Sequence, residues 1–231
     1  PCDDFILSRL GIFLKQRRCR QDHPARTVPA LHCPCFQECL LNGMQGAIYS
    51  EALDGRDGQA LDVGYRDLAK RQAVDLVDLN TSSLNKYENR NCSVFPEIYL
   101  PEIAFSHFII SLPVLKAHSL SVITGTLKNM IGFAPPKFYS GRFGGWKKSV
   151  FHQNLQQAII DLNSYRSPDL SLMDASVGLA DFHLGGSHCS PPVKKIIAGF
   201  SPLEVDRQAA ELLGLDWKKI THLAQVSQSP I

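Results

Sequence analysis

The chain has 231 residues, of which 44% are hydrophobic and 20% are charged, and its formal net charge at pH 7 is +2. This composition suits a globular domain with a sizeable hydrophobic core. The small net charge gives no reason to expect binding to nucleic acid, and no apolar run reaches the roughly 18 residues that a membrane-spanning helix needs.

The seven cysteines are an odd number and form no regular framework, which predicts a reduced, cytoplasmic environment. His32, Cys33, Cys35 and Cys39 are residue types that bind metals. Only one residue separates Cys33 from Cys35, and no second cysteine pair follows at a suitable distance. We therefore interpret these residues as ordinary free cysteines and predict no metal site.

The first part of the chain has the least regular pattern. Residues 1–46 are interpreted as an atypical N-terminal segment, altered or poorly ordered, and 47–231 as a single α/β domain. The pattern that follows predicts, in chain order, a short helix over 64–71, a strand over 73–79, a polar loop over 80–91 and a strand over 93–100.

The stretch 107–112 is apolar at consecutive positions, which predicts a strand buried on both faces of a parallel sheet. Residues 113–123 are more polar and are interpreted as a loop. A helix is predicted over 124–131, with Thr124 as its N-cap and Gly132 ending it.

The C-terminal half continues the alternation of strands and helices. The predicted elements are a loop over 133–149, a helix over 150–162, a strand over 169–174, a loop over 177–192, a strand over 193–200 and helices over 202–213 and 216–224. This order predicts an α/β fold, with a mainly parallel sheet flanked by helices in a Rossmann-like three-layer arrangement.

The candidate site follows strand 107–112, because open α/β sheets bind ligands at the carboxyl ends of their strands. His118 is suited to proton transfer near neutral pH, and Lys128 supplies positive charge nearby. We predict catalytic roles for these two residues. Ligand-binding roles are predicted for Lys116, Ser119, Thr124, Gly125, Asn129, His152 and Asp174.

Two further expectations concern helix ends and carboxylates. The amides that follow Thr124 and Gly125 are expected to be free to bind an anion. Asp174 is expected to end its strand and to present its carboxylate there. Asp206 is expected to stabilise the dipole of its own helix.

The runs HFIISLPVLKAH at 107–118 and TGTLKNMIG at 124–132 carry a family resemblance, together with shorter motifs around Asp174 and Asp206. Over about residues 60–225 the chain resembles the domain of unknown function 362. The resemblance implies an α/β domain of prokaryotic type, whose members are often encoded with, or fused to, ferredoxin-like cysteine clusters. This chain has no C-x-x-C-x-x-C run, so an iron–sulfur cluster is not carried over.

A more distant likeness concerns His118, Thr124, Gly125 and Lys128. Their pattern is similar to the cofactor segment of the nickel-pincer lactate racemase family, in which a His and a Lys stand ten residues apart, as His118 and Lys128 do. The likeness implies that Lys128 binds or tethers a cofactor and that His118 ligates a metal or exchanges protons. A nickel-pincer nucleotide and an iron–sulfur cluster are thus expectations by analogy only, and the cofactor is otherwise unknown.

These observations predict an α/β protein with a site for a small anionic ligand or cofactor around His118 and Lys128, suited to acid–base or redox chemistry on a small acid. The alternative is a non-catalytic partner of an iron–sulfur or ferredoxin-like redox protein. Whether the chain is an enzyme stays open at this point.

Overall fold

A mixed, mainly parallel β-sheet forms the centre of the fold. The structure is a computed structural model that describes residues 81–140, 148–181 and 186–225, the strands 11–15 and 47–50, and positions 70, 71, 73, 75, 77 and 79. Its strands are β1 (Gly11–Lys15), β2 (Ala47–Ser50), β3 (Leu84–Glu88), β4 (Glu97–Pro101), β5 (Phe108–Leu112), β6 (Val114–His118), β7 (Val122–Thr124), β8 (Leu170–Leu179) and β9 (Lys195–Gly199).

Within the described part of the chain, seven strands form the main sheet in the order β2-β1-β5-β8-β6-β7, and β9 pairs with β8. The pairs β1–β2, β1–β5, β5–β8 and β6–β8 are parallel, whereas β6–β7 and β8–β9 are antiparallel. Strands β3 and β4 form a separate antiparallel hairpin. The predicted α/β fold with a mainly parallel sheet flanked by helices is therefore confirmed.

The helices flank this sheet and supply much of the core. They are α1 (Ile103–Ser106), α2 (Thr126–Asn129), α3 (Pro136–Tyr139), α4 (Ser149–His152), α5 (Leu155–Tyr165), α6 (Pro202–Leu212) and α7 (Thr221–Gln225), with 3-10 turns at Met130–Phe133 and Trp217–Lys219. Ile159 and Leu162 of α5 are fully buried, as are Ile109 of β5 and Leu115 of β6. No described helix is long and apolar enough to cross a membrane, and the cytoplasmic location stays a prediction.

Several predicted elements are found where the pattern placed them. Strand β5 covers 108–112 with Ile109, Ile110 and Leu112 buried, as expected for a strand covered on both faces. Strand β9 and helix α6 lie within their predicted ranges, and β4 occupies 97–101, one residue past the end of the strand predicted over 93–100. The helix predicted over 150–162 is present as α4 and α5, which are separated at residues 153–154.

The strand predicted over 73–79 is wrong at its described positions, because Ala73 and Leu79 lie in turns. The loop predicted over 80–91 contains β3. That strand has only partly buried or exposed residues, and Lys86 forms ion pairs with Glu88 and Glu97 on its surface. A solvated hairpin strand lacks the apolar alternation that would have indicated it.

The loop predicted over 113–123 is also wrong, since it contains β6 and β7. The strand predicted over 169–174 runs on to Leu179, so Asp174 lies inside β8 rather than at its end. The loop predicted over 177–192 accordingly begins later.

The helix predicted over 64–71 lies outside the described residues, apart from Lys70 and Arg71, which are helical. Most of the N-terminal segment 1–46 lies outside them as well, although β1 belongs to it. The division of the chain at residue 46 stays a prediction.

Candidate functional site

The hairpin β6–β7 has one apolar and one polar face, and both are buried. Side chains alternate along a strand, so Leu115 and Ala117 share one face while Lys116 and His118 share the other. Lys116 pairs directly with Thr124 of β7. Lys116 and His118 are each 7% exposed and Thr124 is 3% exposed. The hairpin thus presents a cation, an imidazole and a hydroxyl inside the protein.

This polar face lies at the end of the parallel strands. Lys116 pairs with Leu179, the last residue of β8. The carboxyl ends of strands are where open α/β sheets place ligands. The site was predicted at the carboxyl ends of the strands, and the pairing of Lys116 with Leu179 is consistent with that position. The residues that carry it form a hairpin, however, and not the predicted loop.

The hydrogen bonds of His118 fix its tautomer. Its Nδ1 accepts hydrogen bonds from the backbone N–H groups of Leu120, at 3.0 Å, and Ser121, at 3.2 Å. An atom that accepts two N–H donors carries no proton itself, so the proton of the neutral ring is on Nε2. His118 therefore presents an N–H donor through Nε2.

The turn between β6 and β7 is tightly wound. Val122 has a φ of 67°, which is unfavourable for a β-branched residue. The Ser121 hydroxyl donates to the carbonyl of Ile123 at 2.8 Å and helps to hold this turn. Ser119 is exposed in the same turn. The structure does not bring Ser119 onto the buried polar face with Lys116 and His118.

The N-terminus of α2 is capped by a distant carboxylate. Asp206 of α6 accepts hydrogen bonds from the backbone N–H groups of Thr126, at 2.5 Å, and Leu127, at 2.9 Å. Gly125 allows this contact, because a Cβ there would lie 2.7 Å from Asp206 Oδ2. The expectation of free amides after Thr124 and Gly125 is therefore wrong, as is the role expected for Asp206 within its own helix.

Asp206 is fully buried, and it has no ion pair with any basic side chain in the described ranges. Burial raises the pKa of its carboxyl to about 6, although the hydrogen bonds from Leu127 and Thr126 partly oppose the rise. The residue is a structural cap that ties α6 to α2, the helix that carries Lys128.

Lys128 lies on α2 and is half-buried. Burial lowers the pKa of its amine to about 8, and the positive charge of Lys116 contributes to the decrease. Among the residues that the structure describes, no carboxylate forms an ion pair with Lys128. Its cationic form is therefore disfavoured by its surroundings.

Lys148 was not among the predicted site residues. Its side-chain nitrogen donates to the carbonyls of Ile131, at 2.7 Å, and Gly132, at 3.3 Å, which end the 3-10 turn after α2. The residue is 6% exposed and has a left-handed backbone with φ of 64°. Burial lowers the pKa of its amine to about 7, with Lys128 contributing.

Two histidines lie within the electrostatic influence of Lys128. The ring nitrogen Nδ1 of His152 lies 3.1 Å from the Lys148 carbonyl, to which it can only donate. Burial lowers the pKa of His152, and Lys128 lowers it further. His222 is fully buried, and burial followed by the charge of Lys128 lowers its pKa to about 4.

Gln156 orients His222. Its Oε1 accepts from the backbone N–H of His222 at 3.1 Å and lies 2.5 Å from His222 Nδ1, which must therefore carry the proton. The opposite nitrogen, Nε2, is a buried acceptor with no hydrogen-bond partner in the described part of the chain. The side chain of Gln156 also donates to the Leu120 carbonyl beside His118, at 3.3 Å.

We use the name basic cluster for Lys128 and the four basic residues linked to it by the shifts above: Lys116, Lys148, His152 and His222. The buried hydroxyls of Thr124 and Thr126 also lack hydrogen-bond partners among the described residues. The lysines of this cluster and the two buried hydroxyls suit an anion, whereas His222, with a pKa of about 4, is uncharged at pH 7.

The other predicted ligand residues have structural contacts. The Asn129 amide donates to the Ser111 hydroxyl at 3.0 Å. Asp174 Oδ1 accepts from the backbone N–H of Ser176 at 2.9 Å and from its hydroxyl at 2.6 Å. Asp174 is level with Val114 of β6 and so lies one strand away from the polar face.

Neither cofactor suggested by analogy fits the described residues. No group of three or more possible metal ligands occurs among them, and His32, Cys33, Cys35 and Cys39 lie outside them. His118 does not fit as a nickel ligand, because its Nδ1 already accepts two amide N–H groups and its Nε2 carries the proton. We therefore derive no step through either cofactor.

The fold and the site together define an α/β protein with a mainly parallel sheet and a buried basic cluster beside the strand ends. The model of the family described as Domain of unknown function (DUF362) matches residues 29–211. The chain belongs to this family. No match is found among curated proteins or among solved structures.

Proposed function

We propose that this protein binds a small organic acid at the basic cluster and that His118 polarises an oxygen of that acid by donating a hydrogen bond through Nε2. The observation that carries the proposal is the grouping of basic side chains around Lys128, whose own amine forms no ion pair with a carboxylate among the described residues.

An anion would relieve the unfavourable electrostatics of this cluster. Two opposite unit charges at 4 Å attract each other by about 4 kcal/mol at an effective dielectric constant near 20. Burial and neighbouring cations lower the pKa of Lys128, and a bound carboxylate would raise it again. The buried Thr124 hydroxyl, opposite Lys116, offers a hydrogen bond to the same ligand.

His118 supports this proposal as a hydrogen-bond donor. Two backbone amides hold its Nδ1, so the neutral ring donates a hydrogen bond through Nε2 and acts as an electrophile rather than as a base. The ring shares its face of β6 with Lys116, which places the donor beside the positive charge that would hold a carboxylate. His118 is thus suited to donate to an oxygen of the bound acid.

Calorimetry with lactate and pyruvate tests binding, and lactamide serves as the uncharged control. Lys128→Met should abolish binding of both acids, since the cluster loses its central charge. Lys219→Met is the matched control, because the Lys219 side chain is 83% exposed. His118→Gln should retain binding but lose any turnover. Equal affinity of the wild type for lactamide and lactate would contradict the proposal.

The alternative role, docking to an iron–sulfur or ferredoxin-like protein, stays a prediction. No feature of the described residues favours it over ligand binding. Recovery of a ferredoxin-like protein in a pull-down, combined with absence of acid binding, would support it.

A further inference from the structure

A single peptide group connects Gln156 of α5 with His118 of β6. The carbonyl of Leu120 and the N–H of Ser121 belong to the same peptide bond, which is planar. Its oxygen accepts a hydrogen bond from Gln156 Nε2 at 3.3 Å, and its N–H donates to His118 Nδ1 at 3.2 Å. Because the C=O and N–H of a trans peptide point in opposite directions, the Gln156 contact helps to fix the direction of the Ser121 N–H.

The contacts of the Gln156 amide leave one orientation for it. The backbone N–H of His222 can only donate, so the Gln156 atom that lies 3.1 Å from it is the oxygen. The Leu120 carbonyl can only accept, so the atom that lies 3.3 Å from it is the nitrogen. Gln156 follows the buried Leu155 at the start of α5. Its side chain therefore connects α7, through the oxygen, with the β6–β7 turn, through the nitrogen.

The turn that Gln156 contacts is strained, and its tip is little buried. Val122 has a φ of 67°, in a region that β-branched residues rarely adopt. Leu120 is 50% exposed and Val122 is 37% exposed, so hydrophobic burial contributes little to holding them in place. Hydrogen bonds between Ser121 and Ile123 close the turn internally, whereas the Gln156 contact connects it to a helix. Loss of that contact is therefore expected to let the Leu120–Ser121 peptide rotate.

We infer that Gln156 is a positioning residue for His118, which holds the neutral ring in the tautomer with its proton on Nε2. While the Ser121 N–H is directed at Nδ1, that nitrogen is kept as an acceptor. If the peptide rotates, Nδ1 loses one of its two donors, and the proton is no longer confined to Nε2. The consequence for a ligand rests on the proposed function: Gln156 determines whether His118 offers the bound acid an N–H donor or a lone pair.

Nuclear magnetic resonance of the intact protein with isotope-labelled histidine tests the inference, because the chemical shifts of the two ring nitrogens distinguish the tautomers. His118→Gln identifies the His118 signals by their loss. At a pH where the ring is neutral, the wild type should show the proton on Nε2. In Gln156→Glu the introduced carboxylate still accepts from His222 but cannot donate to Leu120, so the ring-nitrogen shifts should move toward those of a tautomer mixture. Gln153→Glu, at an exposed position, should match the wild type.

A measurement on the wild type does not depend on the folding of any variant. Scalar couplings across the hydrogen bonds should connect the Gln156 side-chain nitrogen with the Leu120 carbonyl carbon, and the Ser121 amide nitrogen with His118 Nδ1. Absence of either coupling would overturn the inference. An unchanged tautomer in folded Gln156→Glu would also overturn it and would leave the anion site intact. Failure of lactate to bind the wild type in calorimetry would instead overturn the proposed function, but not the link between Gln156 and His118.

Discussion

The contact between Gly125 and Asp206 gives the sharpest prediction for stability. A Cβ at position 125 would lie 2.5 Å from Asp206 Cγ and 2.7 Å from Oδ2, and closer still to Oδ1. Asp206 is fully buried and cannot move into solvent. In Gly125→Ala the carboxylate must therefore leave the amides of Thr126 and Leu127.

The magnitude follows from the two hydrogen bonds that are lost. Hydrogen bonds to a charged group contribute about 1.5–3 kcal/mol each, so loss of both bonds should lower the free energy of unfolding by about 3–6 kcal/mol. Urea denaturation followed by circular dichroism measures this change. A loss below about 1 kcal/mol, the scale of an ordinary Gly-to-Ala change, would refute the reasoning.

A double-mutant cycle checks the cause. In Asp206→Ala the carboxylate is absent, so the added methyl group of Gly125→Ala meets no obstacle. The second substitution should then cost less than about 1 kcal/mol, because residues in contact are not additive. Equal costs of Gly125→Ala in the two backgrounds would show that the close approach to Asp206 is unimportant.

Three further predictions concern neighbouring parts of the site. The folded-state pKa of Asp206, about 6, lies above the ordinary value of 3.8 for this carboxyl, so its contribution to stability is complete below pH 3.8 and is lost as the pH rises through 6. Relative to Asp206→Asn, the wild type should therefore lose about 2.4 kcal/mol of unfolding free energy between pH 4 and 7, measured by urea denaturation. A constant difference between the two proteins over this range would contradict the shift. Gln156→Ala leaves the buried N–H groups of His222 without an acceptor and should destabilise the protein by about 1–3 kcal/mol, unlike exposed Gln208→Ala in the same assay. Lys116→Met should raise the pKa of Lys128, measured as a shift to higher pH in the rate of amine acetylation, and an unchanged profile would show that Lys116 has no influence.

Strand β5 illustrates what the sequence could predict. Its residues are apolar at consecutive positions, and such a run is typical of a strand covered on both faces. Helix α6 can also be predicted from the sequence, because Pro202 begins it and Gly214, with φ of 71°, follows its end. In both cases the local pattern determines the element.

The hairpin β6–β7 could not be predicted in this way. Lys116 and His118 are buried polar residues at alternating positions, so the segment has the composition of a loop and the geometry of a strand. Its pairing with β8 involves residues about 60 positions later in the chain, and no local pattern contains that information. The positions of Lys116 and His118 were anticipated, but not the element that carries them.

The same limit applies to the rest of the site. Asp206 is 80 residues from Thr126 in sequence, and its role as a cap is visible only in the tertiary structure. His222 was missed because it has no neighbouring motif, and it joins the basic cluster only through the charge of Lys128, which lowers its pKa.

The cap formed by Asp206 also determines how a bound acid must be recognised. Amides at a helix N-terminus do not titrate, so a site built on them would bind anions equally well at pH 7 and pH 9. Here the carboxylate of Asp206 occupies the amides of Thr126 and Leu127, and positive charge comes from Lys128, whose pKa is about 8. Lactate affinity should therefore be nearly constant below pH 7 and should fall by up to about tenfold per pH unit above pH 8 as the ammonium loses its proton. Calorimetry with lactate from pH 6.5 to 9.5 measures this change in affinity. A flat profile would mean that groups other than the lysines hold the anion.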